Sequence, residues 1–363
     1  RRRGRVFPVA EPLEPVVTLK HQHLLAGALV VALSLGLQLA NATAASAAHA
    51  PKAAVAVPAA EPVTLTTPTG VLHGTLQRPD GAGPHPVALL IAGSGPTDRD
   101  GNSAMLPGRN NSLMLLAQAL AERGVASVRY DKRGIAASAA AGPREADLSF
   151  DTLVDDAARW VQQLAADARF TRVLVAGHSE GALVGTLAAA QSPTAALVLL
   201  AGPSEPAATV LRRQLAGRLP PSLADRSEAL LKTLEAGRTD PDVPEALNVL
   251  YRPSVQPYLV SWFRHDPAQA LARLSLPCLI VQGTTDLQVL PDDARRLHAA
   301  RPGCTLALVD GMNHVLKTVP ADPAAQQASY GNPALPLAEG LQQSLTAFLT
   351  QPAVTQALRP AAR

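Results

Sequence analysis

Val173-Leu174-Val175-Ala176-Gly177-His178-Ser179-Glu180-Gly181-Ala182-Leu183-Val184 is the stretch on which the reading of this chain turns. An apolar run of strand composition ends at a serine with a glycine two positions to either side, and Gly185-Thr186-Leu187-Ala188 carries the segment on without a helix breaker. Glycines at those spacings let a following helix and a neighbouring strand approach closely, so the serine occupies a sharp strand-to-helix turn with its hydroxyl in the open. Ser179 is therefore the candidate nucleophile. In a chain rich in Gly, Ala and Ser the pentapeptide alone carries little weight, and the strand before it and the helix after it supply the rest.

Working outward, the same alternation recurs. Val87-Ala88-Leu89-Leu90-Ile91, Val125-Ala126-Ser127-Val128 and Ala196-Leu197-Val198-Leu199-Leu200 are short continuous apolar runs, as expected of strands covered on both faces. Between them Leu113, Leu116, Ala117 and Leu120 share one helical face, as do Leu153, Ala157, Trp160, Val161 and Leu164, the second helix starting at Ser149 or Asp151. Val63–Thr66 and Val71–Leu76 read as a hairpin in front of this pattern. After residue 203 the alternation stops for helical stretches near 207–217, 222–236 and 243–251. It resumes with a strand at 279–282, a helix at 291–300, a strand at 305–309 and a last helix near 337–350. The expected fold class is α/β: a mostly parallel central sheet flanked by helices, spanning 61–350, with a helical cap inserted at about 203–270 and a tail at 351–363. Tyr251, Tyr258, Trp262 and Phe263 cluster in the cap and either line a substrate pocket or fasten the cap to the sheet.

The 363 residues are 47% hydrophobic, enough for a large core, and the formal charge of +3 resides at the front, where residues 1–47 hold five cationic and two acidic side chains. The remainder is neutral, which gives no electrostatic reason to expect a nucleic-acid partner. Lys20, His21 and His23 precede an apolar run from Leu24 to Ala40, and small residues with Ala-x-Ala spacing follow up to Ala47. That order is the layout of a secretory signal peptide cleaved near Ala47; left uncleaved, the run at 24–40 would anchor the protein in a membrane. Both readings place the body outside the cytoplasm, beyond an Ala/Pro-rich linker at 48–60. Cys278 and Cys304, the only cysteines, each stand at the start of an expected strand, either as buried thiols or as a disulfide that an exported protein permits. The scattered histidines show no metal-binding spacing, so neither a metal nor another cofactor is expected.

A serine hydroxyl attacks a carbonyl only when a histidine takes its proton and a carboxylate fixes that histidine's tautomer. Of nine histidines only His314 stands in a loop directly after a late strand, in Val309-Asp310-Gly311-Met312-Asn313-His314. Asp286 follows the strand at 279–282 in Gln282-Gly283-Thr284-Thr285-Asp286. The order Ser179, Asp286, His314 suits this topology.

Together with Tyr130-Asp131-Lys132-Arg133-Gly134, these segments make residues 61–349 resemble α/β-hydrolases of the bacterial esterase and serine-aminopeptidase-like group. The resemblance implies Ser179 as nucleophile, His314 as general base and Asp286 as orienting acid. It also implies an oxyanion hole of backbone N–H groups, from Glu180 and from Ser94 in Ala92-Gly93-Ser94-Gly95. The expected activity is hydrolysis of a small carboxylic ester through an acyl-enzyme. The alternatives are an aminopeptidase, which needs cap carboxylates such as Glu205, Glu228, Glu235 and Asp242 around a substrate ammonium, and a non-catalytic binding module. Arg99, in Asp98-Arg99-Asp100, is read as stiffening its loop rather than as selecting substrate.

Overall fold

The computed structural model describes residues 60–360; the leader expected at 1–47 and all but the last residue of the linker at 48–60 lie outside the described residues. The chain enters through β1 (Glu61–Thr67) and β2 (Gly70–Gln77), an antiparallel hairpin in which Thr67 pairs with Gly70. Alternation follows: β3 (His85–Ile91), α1 (Ser112–Ala121), β4 (Ala126–Tyr130), α2 (Phe150–Ala166), β5 (Phe170–His178), α3 (Glu180–Ala189) and β6 (Thr194–Leu200). After the cap come β7 (Cys278–Gly283), the helix Pro291–Ala300 and β8 (Thr305–Val309). The eight strands form one sheet in the order β1-β2-β4-β3-β5-β6-β7-β8, parallel from β4 to β8, with β2 antiparallel to β4. This is the α/β-hydrolase architecture.

The continuous apolar runs have a direct cause. Successive side chains of a strand face opposite sides of the sheet, and β3 sends Val87, Leu89 and Ile91 into one core cluster and Ala88 and Leu90 into the other. Helix α2 and the cap cover the first face; α1 and the C-terminal helices cover the second. Ser149 is the cap of α2, its hydroxyl accepting from the Asp151 N–H at 3.2 Å.

The cap sits between β6 and β7 and holds α4 (Ala207–Leu215), α5 (Pro221–Glu235), α6 (Asn248–Tyr251), α7 (Gln256–Phe263) and α8 (Pro267–Ala272). With these numbered, the helix Pro291–Ala300 is α9, and α10 (Pro323–Ser329), α11 (Glu339–Leu349) and α12 (Pro352–Leu358) follow β8. Helices α7, α8 and α10 escaped the sequence pattern because they are six to eight residues long, too short to show a period. The stretch read as a tail from 351 onward differs too. Its helix α12 buries Val354 and Leu358 against β5 and β6, and the Thr171 hydroxyl donates to the Leu358 carbonyl at 2.8 Å.

Cys278 opens β7 and Cys304 stands just before β8, where Leu279 pairs with Thr305. That register sets their Cα atoms 4.7 Å apart, and a disulfide joins them. No described helix is long and apolar enough to cross a membrane.

Candidate active site

Ser179 lies between β5 and α3 with φ 55° and ψ −121°, a conformation L-residues avoid. The strain is held by its surroundings: the Ser179 N–H donates to the Leu200 carbonyl of β6 at 2.8 Å, and its own carbonyl accepts from Ala182 at 2.9 Å. The flanking glycines are steric necessities. A Cβ on Gly177 would lie 2.0 Å from the Gly181 carbonyl oxygen, and one on Gly181 would lie 2.4 Å from the Ile91 carbonyl oxygen.

The Asp286 and His314 loops leave adjacent strand ends and touch at Gly283, where a Cβ would meet the Met312 carbonyl at 1.9 Å. The buried Asp286 carboxylate is fully engaged. One oxygen accepts from the N–H groups of Gln288 and Val289 at 2.8 and 3.1 Å; the other accepts from His314 Nδ1 at 2.8 Å and Gln282 Nε2 at 3.0 Å. Burial by itself would raise this carboxyl's pKa, but the His314 charge and hydrogen bond, with the two backbone donors, outweigh burial and hold it below the usual carboxylate range. With Asp286 ionised, the proton sits on Nδ1 of His314 and Nε2 is left to accept. No hydrogen bond joins the Ser179 hydroxyl to the His314 ring; both line one small cavity, a looser arrangement that is common before substrate tightens a site.

His178, which the sequence reading passed over, holds the His314 loop from below: its Nε2 lies 2.7 Å from the His314 carbonyl oxygen. Burial first, and the neighbouring His314 second, push its pKa down to about 3, so the ring is neutral and Nε2–H is the donor. Its only sequence signal was adjacency to Ser179. Gln282, the other supporting side chain missed, gave none, since glutamine at the end of a buried strand declares no role until its partners are known.

The Ser94 N–H and the Glu180 N–H have no hydrogen-bond partner among the described residues. Both residues line the cavity at Ser179, as two donors reserved for an oxyanion would. The Glu180 carboxylate is buried, 3.3 Å from Lys132 Nζ and accepting from the Tyr258 hydroxyl at 2.8 Å.

Two narrow cavities meet at Ser179 and Ser94. One runs under the cap and is walled by Leu183, Val210, Leu211, Trp262 and Val289; the other lies toward His314, Thr97, Gln288 and Tyr330. Of the four cap aromatics proposed for a pocket, Trp262 lines the first cavity. The other three are buried elsewhere: Tyr251 bonds the Ser227 hydroxyl at 2.8 Å inside the cap, Tyr258 ties the cap to Glu180, and Phe263 belongs to the core. Tyr251 thus braces the cap internally, and Tyr258 ties it to the helix that follows Ser179.

The charges expected to be structural are paired. Arg99 meets Asp131 through its guanidinium at 2.6 Å and its backbone N–H at 2.8 Å. Of the carboxylates an aminopeptidase would need, Glu228 and Glu235 pair with Arg212, and Glu205, which lines the first cavity, pairs with Arg213; Asp242 is almost fully exposed, 3.7 Å from Arg226, and lines neither cavity. Among the described residues no group of three or more His, Cys, Asp or Glu side chains is placed to hold a metal ion.

A family model described as serine aminopeptidase, S33, matches residues 110–318, more than half of the chain. Esterase EstD of Thermotoga maritima is 29% identical over 248 residues, 68% of this chain; the match spans 58% of the Thermotoga protein's length. Among solved structures, Est1E from Butyrivibrio proteoclasticus is similar with a TM-score of 0.51 and 17% identity, covering 80% of this chain and 99% of that one. The Pyrococcus furiosus esterase PF2001 has a TM-score of 0.50 and 16% identity, with 80% and 90% covered. At such identities the solved structures speak for the fold.

Proposed function

The chain belongs to the serine aminopeptidase, S33, family of α/β-hydrolases, and from that premise we propose that it hydrolyses small carboxylic esters. Ser179 Oγ attacks the ester carbonyl as His314 Nε2 takes its proton, and Asp286 holds the imidazolium that forms. The Ser94 and Glu180 N–H groups receive the oxyanion. His314 then protonates the departing alcohol, and water, deprotonated by the same imidazole, releases the acid. The two cavities meeting at Ser179 suit the two halves of an ester.

The observation that carries the ester reading over the peptidase one is that Glu205, the one of these four carboxylates lining the cavity under the cap, is engaged by Arg213 at 2.8 Å beside an otherwise apolar wall. A substrate ammonium would find no free carboxylate there. The narrowness of that cavity favours short acyl groups.

The test is turnover of p-nitrophenyl esters from acetate to decanoate beside aminoacyl p-nitroanilides, with Ser179→Ala as control. Esters of two to four acyl carbons should turn over best and anilides negligibly, and S179A should lose at least about 10⁴-fold in kcat. Faster release from anilides would make the protein a peptidase. Export is part of the same proposal, supported by the leader-like segment at 24–40 and by a disulfide, which persists in oxidising compartments. Thiol counting under denaturation without reductant should find none, and two would refute the bridge.

A further inference from the structure

The Tyr130–Gly134 segment contributes a cation that the proposed mechanism has not used. Lys132 Nζ donates to the Gly93 carbonyl oxygen at 2.5 Å and lies 3.3 Å from Glu180 Oε1, and both side chains are almost wholly buried, at 6% and 2% exposure. Tyr258, from α7 of the cap, donates to the other Glu180 oxygen. A buried ammonium is costly unless paired, and its placement here links the two peptides that carry the free N–H groups at Ser179. The Gly93 carbonyl and the Ser94 N–H belong to one planar trans unit and point in opposite directions, so an anchor on the carbonyl fixes where the N–H aims. The second N–H is the backbone of Glu180, whose side chain holds Lys132 from the other end. Gly93 also packs against the nucleophile: a Cβ there would lie 3.2 Å from Ser179 Cβ.

We propose that Lys132 is a positioning residue of the oxyanion hole, fixing and polarising the Gly93–Ser94 peptide from behind, with Glu180 and the cap residue Tyr258 holding its charge in place. This rests on Ser179 being the nucleophile. A hydrogen bond to a full positive charge on the carbonyl draws electron density from the peptide, which strengthens the N–H as a donor to a developing oxyanion. Tyr258 makes the arrangement depend on the cap being seated.

The alternative is a buried ion pair that merely glues cap to sheet, and the experiment separates the two. Lys132→Met leaves the Glu180 carboxylate buried and unpaired, so Lys132→Met/Glu180→Gln is measured beside it; the double variant removes both charges and keeps the Glu180 backbone N–H. Ser179→Ala sets the baseline. The readouts are kcat and KM on p-nitrophenyl butyrate, and the second-order rate at which a fluorophosphonate phosphonylates Ser179 with loss of fluoride. The second reports the oxyanion hole whatever the natural substrate, and urea unfolding confirms that each variant is folded. Both variants should lose about 10- to 100-fold in kcat and in phosphonylation rate, with KM changed less than about threefold. A double variant restored to wild-type rates would overturn the proposal, because the loss in K132M would then come from the stranded carboxylate. A rise confined to KM would overturn it too. Equal phosphonylation of wild type and S179A would defeat the reading of the nucleophile itself, whereas loss only in S179A with K132M at wild-type rates defeats the Lys132 proposal alone.

Discussion

At the sheet's carboxyl edge, Ser179, Asp286 and His314 are each held by main-chain contacts within a few residues of a strand end: Ser179 by the β6 carbonyl, Asp286 by its own loop's N–H groups, His314 by a loop that touches Gly283. The cap over them is held by side chains reaching far along the sequence. Ser261 accepts from the Phe150 N–H at 2.8 Å, Trp262 stacks on Phe150 with centroids 5.7 Å apart, Tyr258 reaches Glu180, and Arg252 pairs with Glu145. Main-chain anchoring fixes geometry through atoms that every residue carries, so the edge tolerates change except where a Cβ collides. Side-chain anchoring is replaceable one contact at a time, so the cap is the part free to vary. The proposed chemistry is therefore vested in the edge and selectivity in the cap, Tyr258 being the cap side chain that reaches the edge through Glu180.

The largest effect that could break this division comes from Asp286. Asp286→Asn keeps the shape but lets the His314 tautomer reverse, and kcat should fall by about 10³- to 10⁴-fold with the fold intact. A loss below tenfold would show that the His314 orientation is set by the His178 contact and the loop backbone instead.

Next in size is the acid limb of stability. His178 stays neutral in the folded protein down to about pH 3, against an ordinary value of 6.5. Its folded pKa is lowered, so between those values the unfolded chain binds the extra proton. Stability is then complete well above pH 6.5 and falls as pH drops, by about 1.6 kcal/mol from pH 6.5 to pH 5. Urea unfolding at those two pH values should show that loss in the wild type and little of it in His178→Gln. An undiminished loss in the variant would place the titration elsewhere.

Selectivity is tested in the cap. Trp262→Ala opens the wall of the acyl cavity, and the octanoate-to-butyrate ratio of kcat/KM should rise about tenfold, one to two methylene-sized contacts being worth that much, while phosphonylation of Ser179 stays within twofold. A fall in phosphonylation would tie Trp262 to the edge after all. The smallest effect is expected of Arg212, whose ion pairs with Glu228 and Glu235 are roughly one-third exposed. Arg212→Ala should cost under about 1 kcal/mol in urea unfolding.

How much of this was legible in the chain follows from the range of the forces involved. The strands, the elbow and the order Ser179, Asp286, His314 could be read because apolar runs, glycine spacing and turns at strand ends are local, and a two-faced sheet leaves its imprint on every buried strand. The two N–H groups at Ser94 and Glu180 followed from the same turns and the resemblance. The Lys132–Glu180–Tyr258 link joins positions 48 and 78 residues apart, and no periodicity connects a loop after β4 to a helix of the cap. The same holds for the wall formed by Trp262 rather than by Tyr251 or Phe263, and for helix α12 closing the core beneath β5 and β6. The bridge between Cys278 and Cys304 lies between these cases: the sequence set both at strand starts, but only the pairing of β7 with β8 brought their Cα atoms to 4.7 Å. Local geometry is encoded by neighbours along the chain. Which buried polar side chain answers which other is decided when the layers pack, because a buried charge or hydroxyl must take the partner that the finished fold puts within reach.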